Sequence, residues 1–297
     1  MVFLLTPGLH LLDLAGPAQV FGTAADVGHP YELRYVAPRA QVRTHQGLIL
    51  TAETEAPALT SADLLVVPGW RSPLASAEIP EHLLGLVRAH HAAGGTVVSV
   101  CAGADALGRA GLLDGRRCTT HHHLQADLAR RYPRATVVPD VLYVADDRVL
   151  SSAGIASGID LTLHLMAMRH GPAVAARIAR AMVVYARRNG EEPQASTMLR
   201  HRAHLSDVVH RVQDEIDARF AEPLPLAELA VRAGVSERTL TRLFDAAVGC
   251  SPLRYQQALR VERAEHLIGH GSTMEAAARA VGFVDARMLR RLRHRAT

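Results

Sequence analysis

The sequence predicts two folds in one chain. An α/β domain, built on a doubly wound and mainly parallel sheet, precedes an all-α domain carrying two helix-turn-helix units. Three observations lead there. From residue 1 to about 188, short β-branched and aliphatic runs alternate with helical patterns. In the last quarter, one pattern of helix, glycine turn and helix is written twice. Between the two regions, Arg187-Arg188-Asn189-Gly190-Glu191-Glu192-Pro193-Gln194 is polar and broken by Gly and Pro, and reads as a linker. The expected division is residues 1–188, a linker over 189–205, and residues 206–297.

In the first region, Val2-Phe3-Leu4-Leu5 reads as a strand, and Asp13-Leu14-Ala15-Gly16-Pro17 opens a helix through Val20 and Phe21. Tyr31 to Ala37 and Leu48 to Leu50 read as further strands. Asp63 to Gly69 is a buried strand ending in a turn, Pro80 to Ala93 a helix stopped by Gly94-Gly95, and Thr96 to Val100 another buried strand. Continuous apolar strands alternating with helices imply a parallel sheet covered on both faces. In such sheets, sites form at the carboxyl ends of the strands.

Cys101 stands at such an end, directly after Thr96-Val97-Val98-Ser99-Val100 and before a helical pattern starting at Ala102. A strand-Cys-helix junction holds the side chain on a sharp turn and aims a helix N-terminus at the sulfur, which favours thiolate. Cysteine is also a common small buried residue, so packing alone accounts for its presence equally well. His121-His122-His123 invites a metal reading, but three consecutive residues point in different directions and no spaced Cys or acid completes a zinc pattern. No metal and no cofactor is expected. The expected arrangement is His121 in a pocket, with His122 and His123 at the surface. Cys118 reads as a packing residue. The small-residue stretch Ser152 to Gly158 is a weak signal for a phosphate-binding turn, and close helix-strand packing explains it as well.

The first region resembles the ThiJ/PfpI superfamily, whose flavodoxin-like fold is that of class I glutamine amidotransferases. The matching pieces are Asp13 to Phe21, Leu64 to Trp70, Ser99 to His122 and Ser151 to Met166. The resemblance implies that Cys101 is the elbow nucleophile and that Asp13 is the acid beside it. It implies that the amides of Gly69 and Ala102 are oxyanion donors, and that Thr120 and His121 are the threonine-histidine element. Ala102 stands where family proteases carry His, and Trp70 replaces a second Gly, so the pocket is also expected to bind a small molecule without turning it over.

The last quarter begins with an amphipathic pattern from Leu205 to Phe220. The first copy of the repeat then runs from Leu226 to Phe244 and the second from Met274 to Leu292. Gly234 corresponds to Gly282, Ala230 to Ala278 and Leu240 to Leu289. In the first copy, Leu226, Leu229, Ala230 and Ala233 recur at helical spacing and predict a buried stripe. Gly234 suits a helix exit at positive φ, and Ser236 suits an N-cap with Glu237 in the first turn. Leu240, Leu243 and Phe244 then face inward, while Arg238, Thr239, Thr241 and Arg242 face outward. The second copy ends with Arg287, Arg290, Arg291, Arg293 and Arg295 on one short helix. Two basic-faced units in tandem suit successive major grooves, ~34 Å apart.

From about Val208 onward, the chain resembles the AraC/XylS family, including Ser251 to Ile268 between the repeats. The resemblance implies DNA contacts by Arg238, Thr241 and Arg242, and by Arg287, Arg290 and Arg291. The aromatic residue usual late in the second recognition helix is absent, and the chain ends before a second G-x-S-P-x-x-Y segment, so a less firmly packed second unit is expected. Together the two resemblances point to GlxA-type regulators. Their expected partners are double-stranded operator DNA, a small-molecule effector, a second copy in a homodimer, and RNA polymerase.

Composition is consistent with this. The chain is 297 residues long with 48% hydrophobic but only 4% aromatic residues, so its cores must be aliphatic. All 33 basic residues besides His are Arg, and the net charge is +4, which suits a nucleic-acid partner without requiring one. Three cysteines are too few and odd for a disulfide framework and suggest a reducing compartment. The apolar start lacks a basic n-region and is broken by Pro7, Gly8 and Asp13, so it reads as strand and loop rather than a signal peptide. No apolar run reaches the ~20 residues of a membrane span. A cytoplasmic regulator of transcription is the leading expectation. The alternatives are a Cys-dependent hydrolase, hydratase or amidase fused to a DNA reader, and a redox sensor acting through Cys101.

Overall fold

The computed structural model describes all residues except 72, 75–76, 185–187, 193, 195–200, 203, 270 and 297, and no side chains over 294–296. Arg187, Pro193 and much of the expected linker therefore lie outside the described residues, as does the Arg295 side chain. The chain divides into two compact units, Met1–Gln194 and Ala195–Thr297. The division falls after Gln194 rather than after Arg188, because hydrogen bonds tie Gly190, Glu192 and Gln194 to the first unit. The amide of Leu142 donates to Gly190 O at 2.8 Å, and Gln194 Nε2 donates to Thr120 O at 2.9 Å and Val141 O at 3.0 Å.

The first unit opens with β1 (Val2–Leu4), α1 (Leu11–Asp26), β2 (Arg34–Val36), β3 (Gln41–Arg43), β4 (Ile49–Thr51) and β5 (Leu64–Val67). It continues with α2 (Glu81–Ala92), β6 (Thr96–Val100), a 3-10 turn (Cys101–Gly103), α3 (Ala104–Arg109), β7 (Arg117–Cys118), a second 3-10 turn (His122–Leu124), α4 (Gln125–Arg131) and β8 (Thr136–Val137). It closes with β9 (Tyr143–Asp146), β10 (Val149–Ser152), α5 (Ser157–His170) and α6 (Pro172–Ala181). Six strands form one sheet in the order β2-β1-β5-β6-β10-β9, parallel except for the edge strand β9. Strands β1, β5, β6 and β10 are buried almost throughout, as their continuous apolar runs require.

Several local readings are corrected. The helix expected from Ala102 to Leu113 is only α3, because Gly111 turns the chain at φ 73°. Leu48 to Leu50 is one arm of the hairpin β3–β4, whose other arm carries too little pattern to read. The two-residue strands β7 and β8 are too short to show a period.

The second unit contains α7 (Asp207–Ala218), α8 (Leu226–Ala233), α9 (Glu237–Val248), α10 (Pro252–Gly269), α11 (Met274–Ala280) and α12 (Ala286–Ala296). The two copies are α8–α9 and α11–α12, each turning on a left-handed glycine, Gly234 at φ 70° and Gly282 at φ 82°. Ser236 caps α9 by accepting from Thr239 N at 3.2 Å, and Asp285 caps α12 by accepting from Arg287 N at 2.9 Å and Met288 N at 3.1 Å. Each copy has its own core. Leu229, Ala230, Leu240 and Phe244 close the first with Val209, Val212 and Ile216 of α7. Ala277, Ala278, Val281, Phe283 and Leu289 close the second with Val261 and Ala264 of α10. The second copy is thus packed despite lacking the late aromatic: Phe283, placed in the turn instead, is buried in its core.

Candidate functional site

The carboxyl ends of β5, β6 and β10 meet at Cys101. The strand β6 runs straight into the 3-10 turn, which forces Cys101 to φ 54°. A non-glycine residue at positive φ is costly and marks a sharp, over-determined turn. The neighbours accept this turn only because they lack side chains. A Cβ on Gly69 would lie 2.6 Å from Asp13 Oδ2, 2.6 Å from Cys101 Cβ and 2.7 Å from Ala102 N. A Cβ on Gly154, itself at φ 102°, would lie 2.3 Å from Cys101 Cβ and 2.9 Å from its sulfur. A Cβ on Gly103 would lie 2.1 Å from Val67 O. Thr120 Oγ1 donates to Cys101 O at 2.7 Å, fixing the turn from the opposite side.

Asp13, in the first turn of α1, is fully buried and accepts from Ile155 N through Oδ1 at 2.5 Å. Burial raises its pKa to about 6, against the lowering effect of the Ile155 and Gly69 amides and the Cys101 thiol. The same burial, followed by the Asp13 charge, pushes the Cys101 thiol far above its ordinary value despite the opposing Ala102 amide. The expected thiolate is therefore corrected. The elbow geometry is present, but Cys101 is only 5% exposed and its nearest charge is negative, so the neutral thiol is the resting form.

The structure brings Cys101, Asp13, Gly69 and Ala102 together. His121 lies next to Thr120 and is half-buried, while His122 and His123 are exposed. Burial, with added repulsion from His122, His123 and His10, lowers His121 to about 4, so it is neutral at pH 7. Around the N-terminus of α1, His10 contacts His45 edge-on with centroids 5.1 Å apart, and Arg71 Nη1 donates to His45 Nε2 at 2.9 Å. Among the described residues, no three His, Cys, Asp or Glu are placed to hold a metal ion. Cys118 is buried in β7. An apolar cavity of about 440 Å³ in this unit is lined by Leu5, Leu14, Ala18, Tyr35 and Leu50 beside α1, not by Cys101.

Sequence reasoning missed Ile155 and the part played by Gly154. The glycine-rich stretch from Ser152 to Gly158 was visible, and a glycine between a strand and a helix opposite a cysteine elbow is the signal that bears on it. The positive φ of Ile155, 52°, leaves no mark in sequence.

In the second unit, Arg238, Thr241 and Arg242 are exposed on α9, and Arg287, Arg290 and Arg291 on α12. Among the described residues, Arg238, Arg242 and Arg287 make no ion pair, and Arg291 Nη2 reaches only Met288 Sδ at 2.9 Å. Arg290 pairs with Glu275 at 3.1 Å. Other arginines of the unit are engaged by acids: Arg202 by Asp214 and Asp217, Arg219 by Glu215, Glu222 and Glu228, and Arg232 by Glu215 and Glu228. Thr241 Oγ1 donates to Glu237 O at 2.9 Å.

Residues 1–168 match the DJ-1/PfpI family and residues 229–297 match a helix-turn-helix domain family. The chain belongs to the DJ-1/PfpI family. Its C-terminal part is an AraC-type helix-turn-helix region. The HTH-type transcriptional regulator GbdR of Pseudomonas aeruginosa is 32% identical over 247 residues, 82% of this chain and 66% of that protein. The chain thus spans about two thirds of that relative's length. The isonitrile hydratase of Pseudomonas putida is 35% identical over 168 residues, 55% of this chain and 68% of that protein. The crystal structure of an AraC family transcriptional regulator from Pseudomonas putida, 25% identical, superposes with a TM-score of 0.53 over 61% of this chain and 97% of that one. Among the described residues, no helix is long and apolar enough to cross a membrane.

Proposed function

We propose that the protein is a sequence-specific, DNA-binding transcription regulator whose DJ-1/PfpI unit senses a small molecule. The observation that carries this reading is the pair of separately cored helix-turn-helix units, each presenting exposed arginines not committed to acids. Arg238 and Arg242 on α9, and Arg287, Arg290 and Arg291 on α12, bind phosphates and guanine edges in successive major grooves. The Thr241 methyl suits a thymine methyl group. The similarity to GbdR, a named regulator, supports the same reading.

Effector binding at the elbow of Cys101, Asp13, Gly69, Ala102 and His121 shifts the population between DNA-competent and incompetent states. The join between sensing and reading lies between Gln194 and Ser206. A second copy and RNA polymerase complete the set of partners. The test is binding of the full chain to fragmented host DNA, with Arg242→Ala and Arg291→Ala beside it. Discrete sites that weaken in both variants support the reading. Unchanged affinity and site preference in both would remove the assigned contact faces.

An enzymatic reading, addition of water to a small substrate through Cys101, is favoured by the elbow and by the similarity to an isonitrile hydratase. The buried, protonated thiol and Ala102 in place of a general-base histidine weigh against it. Turnover of a small isonitrile that disappears in Cys101→Ser would establish it, and no turnover would leave the elbow as a binding site.

A further inference from the structure

We propose that Arg260 is the positioning residue that fixes the offset between the recognition helices α9 and α12, and with it the spacing of the two DNA half-sites the protein reads. The proposal rests on the DNA-binding reading above and goes one step beyond it.

Two separately closed cores do not by themselves hold two recognition helices at a set distance. The helix α10 enters both, giving Tyr255 and Leu259 to the first and Val261 and Ala264 to the second. Beside it runs the short segment Phe220–Glu222, and the Phe220 side chain packs against both cores. This seam is where the two copies meet, and Arg260 lies across it.

Arg260 is half-buried and pairs with no carboxylate among the described residues. Its guanidinium is spent on backbone carbonyls instead. Nε donates to Phe220 O at 2.6 Å and Nη2 to Glu222 O at 2.8 Å, both on the first copy's side. Nη1 donates to Gly282 O at 2.8 Å, in the turn of the second copy. The guanidinium carbon also lies 5.6 Å from the Phe283 ring centroid. A planar fork with fixed donor directions satisfies three carbonyls at once only when they keep one relative placement. A cation withdrawn from water is tolerated only while those donors stay bonded, which makes the placement selective.

The other side of the seam is equally close. A Cβ on Gly282 would lie 1.9 Å from Ala221 O and 2.7 Å from Ala221 C. Its counterpart Gly234 has nothing within 4 Å of the same added atom. The two turns share a backbone conformation, but only the second is wedged against the seam. Gln256, one turn before Arg260 on α10, supplies the contrast. Its Nε2 donates to Phe220 O at 3.0 Å and Glu222 O at 2.8 Å, the same first-side carbonyls, but not to Gly282.

The experiment measures affinity of the full chain for a selected site and for versions with one base pair added or removed between the half-sites. One base pair moves the second half-site by ~3.4 Å and roughly a tenth of a turn. The wild type is expected to lose about tenfold or more in affinity at either changed spacing. In Arg260→Met, affinity at native spacing falls and the penalty for changed spacing drops to under about threefold. Gln256→Met removes the first-side bonds but not the bridge, and is expected to keep the wild-type penalty. Gly282→Ala pushes the seam apart from the other side and is expected to behave as Arg260→Met. Circular dichroism establishes that each variant is folded. A wild type indifferent to spacing overturns the proposal without any variant. So does an Arg260→Met protein that keeps the full penalty, or a Gln256→Met protein that loses it. Absence of any preferred site in the wild type defeats the DNA-binding reading itself, a different outcome from either.

Discussion

At the Cys101 elbow the charged group, Asp13, is wholly buried and bonded to the Ile155 amide, and the thiol beside it is nearly closed off. On α9 and α12, by contrast, Arg238, Arg242 and Arg287 stand in solvent and their side chains form no ion pair among the described residues. The first arrangement acts only when something enters or a proton moves, since burial sets both pKa values. The second acts at a distance, attracts polyanions before contact, and is screened by salt. One chain therefore separates a closed, short-range chemistry from an open, long-range one. That division suits a sensor joined to a reader.

The largest expected effect comes from opening the closed site. Gly154→Ala places a Cβ against Cys101 and forces an L-residue to φ 102°, so the first unit loses roughly 2–5 kcal/mol. Thermal unfolding of the full chain, with hydrogen exchange in β6 and β10 to identify the unit, checks this. Little change would mean that the elbow is looser than its packing implies.

On the open face, Arg242→Ala and Arg291→Ala are each expected to weaken operator binding by about 1–3 kcal/mol, and by more than Arg290→Ala, whose side chain must first leave Glu275. Titrations at several salt concentrations separate the roles. A phosphate contact lowers the salt slope by about one, while a base contact relaxes preference at one position.

The titration of Asp13 sharpens the contrast further. Its folded pKa of about 6 exceeds the ordinary value of 3.8, so between these values the folded state keeps a proton that the unfolded chain has lost. This contribution to stability is present below about pH 4 and is lost as pH rises through about 6. His121 has the opposite sign. Its folded pKa of about 4 lies below 6.5, so its contribution is lost as pH falls through about 4. Asp13→Asn removes the first effect and leaves the second, so the variant should lose stability more steeply than wild type between pH 6.5 and 4. It should also speed alkylation of Cys101 at a given pH, by roughly threefold for each unit by which the thiol pKa falls, since the larger thiolate fraction is partly offset by lower nucleophilicity. Identical pH profiles and alkylation rates would contradict the coupling between the two groups.

The smallest effect is expected at Ser236→Ala, which removes the cap on Thr239 N and costs ~1 kcal/mol of helix stability. Fraying at the start of α9 should weaken the DNA contacts of Arg238, Thr241 and Arg242 without altering those of α12.

Much of this was legible in sequence where periodicity and turn chemistry are strong. The buried strands β1, β5 and β6 are continuous apolar runs, and Gly234 and Ser236 mark the end of α8 and the start of α9 by residue type alone. Cys101 could be placed on a turn because a strand pattern runs into it. Its protonation state could not be read, because it depends on a carboxylate 88 positions away in sequence and on the closure of the site around both. Gly282 and Arg260 show the same limit. The repeat equates Gly282 with Gly234, yet their surroundings differ because only one of the two turns meets Ala221. Short elements such as β7 and β8 exist through pairing rather than through any local pattern.

The most direct measurement is selection of bound fragments from sheared host DNA by the purified full chain at a stated salt concentration, followed by footprinting of the enriched sites. The account predicts a small set of discrete sites, each protected at two major-groove segments about one helical turn apart. Weak, salt-sensitive binding with no preferred sites would contradict it and leave the DJ-1/PfpI unit as the place where function resides.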